Sequence, residues 1–560
     1  MTLPVGSWSE KDRSVLNRYP QAVAHMWRQV ESGRFGLIIG AGVSAPFGLP
    51  TWPHLVERIA EHPRIAAEGL KREISVTPLP ILTQILLHHY RQRLVDGEPP
   101  QARNERDLSR LVAANFRDIM HECLYRDVPQ SEEELEERDD FYRHYVDVIR
   151  RSPLTVVYNF DDTLERLLLL KRSEDDLKKG SRGFEVVTDG RQQFRRREAV
   201  IYHPNGFLPF NLMEGRSEAV VFNEEALEDQ LIGSMVGEYS TLLHHLSKST
   251  FLFVGLSLDD ATLRHILRQS ARINPGHFHY YVSFVESMPD GLTEAQVSRA
   301  AANFEVFNLI TVYLDAGGIG SLGRLLSSDS EEIRSLAEEE NVRLNYCFYL
   351  TGVPGVGKTT TFSYFKNLVT TDEWASERLP AMGRPWTELS DTEKAEVDRF
   401  VLDQWNLKNR ALLNDAENPG IGITLVDRCL PDALAFTDSL EWQAKAVALL
   451  KAISPRQAHR RVHPGHIIML YGDPPELVVR ARCAGKTSEQ GYVETLQEDT
   501  AKVYNGTGVE VLDTRNMSIA EVVRSVADII HRQTYEECDI HALLEGFCAA
   551  GYPKAELVDC

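Results

Sequence analysis

The chain has 560 residues and a formal net charge of −21, with 61 Lys and Arg against 82 Asp and Glu. This length accommodates two or more domains with full cores, and so acidic a balance argues against a generic nucleic-acid binder. Seven scattered cysteines without a CxxC pair argue against a zinc ribbon or a disulfide framework and fit a reducing cytoplasm.

No apolar run reaches membrane-spanning length, and residues 1–12 carry no signal-peptide pattern, so no membrane association is expected. Residues 1–34 form a helical opening segment, with the helix itself over 13–34. Short apolar runs then alternate with amphipathic stretches, at 36–39, 154–158, 199–202, 219–222, 250–254, 278–284 and 308–314. Continuous β-branched and aromatic runs separated by helical sequence predict a parallel sheet covered on both faces, here over residues 35–321. Charged, helical sequence over about 60–150 reads as an insertion into that domain. Residues 322–345 read as a connector helix. A second α/β domain follows over 346–535, with strands at 347–350, 421–426, 467–471 and 509–512. Its long helix opens with Ser390-Asp391-Thr392-Glu393, a capping-box spacing. Residues 536–560 form a tail with no assignment.

Each domain opens with strand, glycine turn and helix, an order that aims backbone N–H groups and a positive helix end at a phosphate. The first turn is Gly40-Ala41-Gly42-Val43-Ser44, in which Gly40 and Gly42 permit a tight turn and close approach to a pyrophosphate. Alone it is a weak signal that also fits a plain strand-closing turn. Its companions are Gly48-Leu49-Pro50-Thr51-Trp52, Tyr158-Asn159-Phe160-Asp161-Asp162, Tyr202-His203-Pro204-Asn205-Gly206 and Val254-Gly255-Leu256-Ser257-Leu258-Asp259-Asp260.

This ordered set resembles the sirtuin-like domains of bacterial antiphage proteins, over about residues 20–320. The resemblance implies a Rossmann-like fold and NAD as substrate. Gly40, Ala41, Gly42 and Ser44 would contact NAD, with Gly255 and Ser257 near its adenosine half and Asn159 near the nicotinamide ribose. The family's catalytic histidine directly precedes the glycine of the fourth motif, where this chain has Asn205. His203 stands two residues earlier, and in continued strand geometry positions 203 and 205 share a face. His203 is therefore the expected general base, with Asn159 as its partner and Asn205 and Asp161 as further candidates. The alternative for His203 is a buried strand histidine without a catalytic role. Deacylase sirtuins carry a four-cysteine zinc module and an acidic residue and arginine after the Gly-x-Pro turn. Both are missing here, which leaves NAD hydrolysis as the implied reaction.

The second turn, about three hundred residues on, is Gly352-Val353-Pro354-Gly355-Val356-Gly357-Lys358-Thr359-Thr360, a complete GxxxxGK[ST] loop. Gly352, Gly355, Gly357 and Thr360 belong to the phosphate cradle, Lys358 reaches the β- and γ-phosphates, and Thr359 offers its hydroxyl to Mg²⁺. With Asp427-Arg428, Gly472-Asp473-Pro474, the arginines Arg480 and Arg482 with Lys486, and Leu512-Asp513-Thr514, the region 345–535 is similar to nucleoside and nucleoside-monophosphate kinases, thymidylate kinase above all. A three-layer α/β fold binding ATP or another NTP follows from that resemblance. Asp427 would hold a metal-bound water or accept a hydroxyl proton, Arg428 would clamp an acceptor phosphate or sugar, and Arg480 and Arg482 would belong to a lid. The combined expectation is an antiphage NADase regulated by a nucleotide-binding domain. Its partners would be nucleotides, a phage-derived trigger or altered nucleotide pool, and further copies of the chain. The alternatives are a working nucleotide kinase with an NAD- or ADP-ribose-reading module, and a pair of non-catalytic sensors.

Overall fold

The computed structural model describes residues 8–96, 105–172, 178, 181–189, 198–212, 220–288, 291–384, 388–413, 420–453, 462–483 and 489–549. Contacts divide the chain into two compact units. The first comprises Met1–Arg18, Gln29–Asn274 and Phe278–Asp329, and the second Tyr19–Arg28, Pro275–His277 and Ser330–Cys560. No helix among the described residues is long and apolar enough to cross a membrane.

The first unit is built on a seven-stranded parallel sheet of β1 (Phe35–Ile39), β2 (Thr155–Val157), β3 (Phe184–Val187), β4 (Ala199–Tyr202), β5 (Thr250–Val254), β6 (His279–Phe284) and β7 (Leu309–Leu314). The spatial order is β3-β4-β2-β1-β5-β6-β7. Every residue of β1, β2, β4 and β5 is buried, which is why these strands read as unbroken apolar runs. Ile38, Val156, Phe251, Phe253, Tyr202, Leu263 and Ile266 belong to one core cluster. Between β1 and β2 lie the helices Trp52–Glu61, Leu79–Asp96, Glu105–Leu124, Glu132–Glu137 and Tyr142–Arg151, while residues 97–104 fall outside the described set. The chain order reverses at β1: strands β2, β4 and β3 lie to one side and β5 to β7 to the other. In open parallel sheets such a reversal leaves a crevice at the carboxyl ends of the strands. Ile39 pairs with Val157 on one side and Val254 on the other, so β1, β2 and β5 end level.

Three details depart from expectation. The opening helix is two helices, Glu10–Arg18 and Pro20–Glu31, because proline lacks the N–H that a helix interior needs and sits in a first turn. Residues 220–222 carry no strand: the Val221 N–H bonds the Asn205 carbonyl at 2.8 Å, and residue 219 lies outside the described set. The sheet instead gains β3 at its edge.

The second unit has a five-stranded parallel sheet of β8 (Asn345–Thr351), β9 (Val369–Thr371), β10 (Gly422–Asp427), β11 (His466–Tyr471) and β12 (Glu510–Asp513), in the order β12-β11-β8-β10-β9. Strand β8 is central, and the order again reverses there. The short edge strand β9 was not expected. The long helix Asp391–Leu413 opens on the predicted box: the Ser390 N–H donates to Glu393 Oε2 at 2.9 Å, and the Glu393 N–H to Ser390 Oγ at 3.4 Å. Residues 322–345 cover the end of the helix Ala316–Ser327 and all of the helix Ser330–Glu339, and the unit boundary falls after Asp329. In the tail, the helix Ile540–Cys548 packs Phe547 edge-on against Trp442 at 5.7 Å, and residues 550–560 lie outside the described set.

Candidate functional site

At the level ends of β1 and β5 three glycines meet. The Gly40 N–H donates to the Val254 carbonyl at 3.0 Å, and the Gly42 N–H to the Gly255 carbonyl at 3.0 Å. A methyl group on Gly40 would stand 2.5 Å from the Gly255 oxygen, and one on Gly255, whose φ is +70°, 2.8 Å from the Val43 nitrogen. The glycines are therefore needed for loop-to-loop approach. The N–H donors of Gly40 and Gly42 are thus engaged by the Val254 and Gly255 carbonyls. Ala41 opens the short helix Ala41–Ser44, and Ser257 lies exposed two residues beyond Gly255.

Asn159 follows β2 and is buried. Its Nδ2 donates to Ser44 Oγ at 2.8 Å, so two of the predicted NAD-contacting side chains touch. Asp161 is buried, and its Oδ1 accepts from the Thr163 N–H at 3.1 Å at the start of the helix Thr163–Leu170; burial raises its carboxyl above the usual range. Asp162 accepts from the Tyr125 hydroxyl at 3.1 Å and the Phe210 N–H at 3.0 Å, and burial, then the neighbouring Glu165, pushes it up to about 7.

His203 does not share an open face with position 205. It is fully buried, with Nδ1 at 3.0 Å from the Asn159 carbonyl oxygen and Nε2 at 2.7 Å from Glu165 Oε1. Burial alone would lower its pKa, but the Glu165 carboxylate raises it above the ordinary value. Both ring nitrogens thus face acceptors, and an imidazole donating at both has no lone pair left to take a proton. These two contacts occupy both ring nitrogens, which counts against His203 as a general base. The strand ends at Tyr202, so the alternation that would have joined 203 to 205 ends as well. Asn205 is half-buried, donates to the Tyr158 carbonyl at 3.3 Å and accepts from Gln230 Nε2 at 3.0 Å.

In the second unit the loop after β8 has Gly352, Gly355 and Gly357 at φ of 132°, 88° and 102°, where L side chains are strained. A methyl group on Gly352 would meet the Leu470 carbonyl oxygen at 2.5 Å. Lys358 opens the helix Lys358–Phe362, is buried, and donates to the Gly352 and Val353 carbonyls at 2.6 and 3.0 Å. Burial, then the Arg428 charge, lowers its pKa to about 7. Thr359 and Thr360 are exposed on that helix.

Asp427 closes β10 in register with Leu350, and its Oδ1 is buried without a hydrogen-bond partner. Burial raises this carboxyl. An exposed Thr359 hydroxyl and an orphaned carboxylate oxygen are hard oxygen donors that suit Mg²⁺. Arg428 sits at φ 67°, a strained position for arginine. It binds Glu373 through Nε and lies 3.3 Å from the Gly352 carbonyl and 3.4 Å from Asp432 Oδ2 through Nη1. Burial alone would raise the Glu373 carboxyl, yet Arg428 and Lys358 hold it at about 2. Asp432 Oδ1 accepts from the Thr351 and Tyr504 hydroxyls, each at 2.5 Å. Lys408 donates to the Asp427 carbonyl at 2.9 Å. Arg480 pairs with Glu476 on a helix surface, Arg482 is exposed nearby, and Lys486 lies outside the described residues. Glu373, Lys408 and Glu165 are functional candidates that the sequence motifs do not single out. The strand pairing of β9 with β10 is what brings Glu373 to Arg428.

Residues 153–307 match the family model of the SIR2-like domain, a segment that contains Asn159, His203, Asn205 and Gly255. The chain therefore carries a SIR2-like domain. Solved structures similar to the chain include three kinases. A gluconokinase from Sinorhizobium meliloti shares 15% identity, covering 34% of this chain and 94% of its own (TM-score 0.22). A deoxyadenosine kinase from M. mycoides shares 14%, covering 32% and 97% (TM-score 0.23). A thymidylate kinase from Candida albicans shares 11%, covering 35% and 98% (TM-score 0.23). No curated protein matches this chain in sequence.

Proposed function

We propose that the first unit is an NAD glycohydrolase that releases nicotinamide and ADP-ribose, and that the second unit binds ATP or another nucleotide with Mg²⁺ and governs that activity. The observation that carries the reading is the Asn159–Ser44 hydrogen bond at the crevice where the Gly40, Gly42 and Gly255 backbones meet. A dinucleotide laid across the β1/β5 reversal would put its ribose against the Asn159 carboxamide, which can both donate and accept. Nicotinamide leaves NAD as a neutral molecule, so its departure needs no general acid. Water then adds to the ribose carbon and loses its proton to solvent. The residues' task is to hold the ribose and admit one water, a task that does not call for a histidine base. Asn205 and Asp161 remain candidates for contact with the ribose or the water.

Unrestrained loss of NAD would kill a cell, so such an activity fits a triggered antiphage effector in the cytoplasm, acting as an assembly of copies of this chain. The trigger would be a phage product or an altered nucleotide pool read at Lys358. The test is nicotinamide release by the full chain, with and without ATP and Mg²⁺ and with lysate from infected cells, for wild type, Asn159→Ala and Lys358→Ala. The proposal predicts release that Asn159→Ala abolishes and Lys358→Ala uncouples from nucleotide. Release under none of these conditions would refute it.

A second reading is favoured by the Glu373–Arg428 pair beside Lys358. It makes the second unit a working kinase of nucleosides or nucleoside monophosphates. Glu373 would accept the hydrogen bond of an acceptor hydroxyl, Arg428 would orient Glu373, and Lys358 would hold the phosphates. Arg480 and Arg482 would close over them. Bound Mg²⁺ would supply charge neutralisation between Thr359 and Asp427. Labelled ATP incubated with nucleosides and nucleoside monophosphates decides it: a phosphorylated product supports the kinase, and ATP binding without transfer leaves the unit a sensor.

A further inference from the structure

Glu165 belongs to no recognised motif, yet it is the residue on which the arrangement behind Asn159 turns. It projects from the helix Thr163–Leu170 and is 5% exposed. Its Oε1 meets His203 Nε2 at 2.7 Å, and its Oε2 is buried without a hydrogen-bond partner. His203 in turn reaches the Asn159 carbonyl with Nδ1. Its backbone N–H is held by the Val187 carbonyl at 2.8 Å, and its ring lies 4.7 Å from Phe207. The series Glu165, His203, Asn159, Ser44 therefore ties a helix, the end of β4, the end of β2 and the first glycine loop together.

The chemistry of the two histidine contacts is restrictive. A backbone carbonyl can only accept, and an ionised carboxylate can only accept. A ring that satisfies both must carry a proton on each nitrogen. Asp161, also acidic and buried, is a further charge that favours the cation.

We propose that Glu165 holds His203 as a buried imidazolium, and that this pair acts as a positioning strut that fixes Asn159 for NAD. The inference rests on the NAD reading of the first unit and adds a role for Glu165 and a different one for His203. Neither residue touches substrate. The strut sets the Asn159 main chain from behind, and the carboxamide is thereby aimed at Ser44 and the ribose. No proton is exchanged during the reaction, so the pair is sensitive to hydrogen-bonding shape more than to charge. A glutamine at 165 can donate to Nε2 of a neutral His203 whose Nδ1–H still reaches Asn159. A leucine cannot.

The experiment combines two readouts on the full chain. Nitrogen-15 spectra of the histidine rings, with His203 identified by its loss in His203→Gln, are expected to show both nitrogens protonated at neutral pH. A bare nitrogen on His203 would overturn the proposal. Calorimetric NAD binding is expected to weaken about tenfold or more in Glu165→Leu and to stay within about threefold in Glu165→Gln, as for loss and retention of one hydrogen bond. Equal affinities for folded Glu165→Leu and wild type would also overturn it, as would equal losses in the two variants, since a merely structural role is not rescued by glutamine. If wild type binds no NAD, the NAD reading itself fails, and the spectra still decide whether the protonated pair exists.

Discussion

Gly255→Ala perturbs the point on which the first unit's crevice depends. The backbone there has φ +70°, which costs an L side chain about 1 kcal/mol relative to glycine. The new methyl group would stand 2.8 Å from the Val43 nitrogen and 3.0 Å from the Gly40 oxygen, both main-chain atoms. Relief requires the two loops to separate, which stretches the bond from the Gly42 N–H to the Gly255 carbonyl, worth about another 1 kcal/mol. With overlap that relaxation does not remove, the total is about 3 kcal/mol, or roughly 4–5 °C in the melting temperature of a unit of this size. Thermal unfolding followed by circular dichroism reads the shift, and calorimetry reads a parallel loss of NAD affinity. Gly69→Ala is the control, because a methyl group there meets nothing within 4 Å. A Gly255→Ala protein that melts within about 1 °C of wild type and binds NAD unchanged would refute the reasoning.

Three further outcomes follow. Asn205→Ala, at a half-buried position ahead of Gly206, is expected to lower nicotinamide release about tenfold by removing a hydrogen-bonding contact to the ribose or the water; an unchanged rate would count against that position facing the ribose. Glu373→Gln is expected to lower any phosphoryl transfer about a hundredfold while leaving ATP binding intact, measured with labelled ATP; transfer at the wild-type rate would remove Glu373 from the acceptor site. In the second unit His25 is buried, bonds the Asn367 carbonyl at 2.7 Å and faces His531, and burial lowers its pKa to about 4. The unfolded chain therefore binds more protons between pH 6.5 and 4, so stability falls as pH drops through that window, by on the order of 3 kcal/mol. Denaturant titrations across pH 4–7 should show this loss, smaller in His25→Phe; an identical pH dependence in the variant would contradict it.

The parallel sheets were legible because their central strands are buried on both faces, so that 35–39, 250–254 and 346–350 stand out as apolar runs. The edge strands were not. Phe184–Val187 has exposed Glu185 in its middle, and Val369–Thr371 is three residues long, so neither carries a periodic signal. The run at 219–222 looked like a strand because Phe222 is apolar, but that ring is buried against Trp52 and Phe160 at 5.9 and 5.8 Å in a loop. At the sites, glycines and the P-loop lysine were readable from spacing, since their backbone demands are local. Glu165 and Glu373 were not, because their partners His203 and Arg428 come from distant strands and only the sheet order brings each pair together. The same reason explains the revised role of His203: spacing placed it two residues from Asn205, while the fold turned it toward Glu165.

The proposed activity is NAD cleavage in the first unit under control of the second. Its most direct test is chromatographic detection of nicotinamide and ADP-ribose from the purified full chain supplied with NAD, Mg²⁺ and ATP, together with lysate from infected cells. Equimolar formation of the two products is expected, lost in Asn159→Ala and no longer responsive to ATP in Lys358→Ala. NAD left intact by wild type under every combination, or equal cleavage by Asn159→Ala, would contradict it.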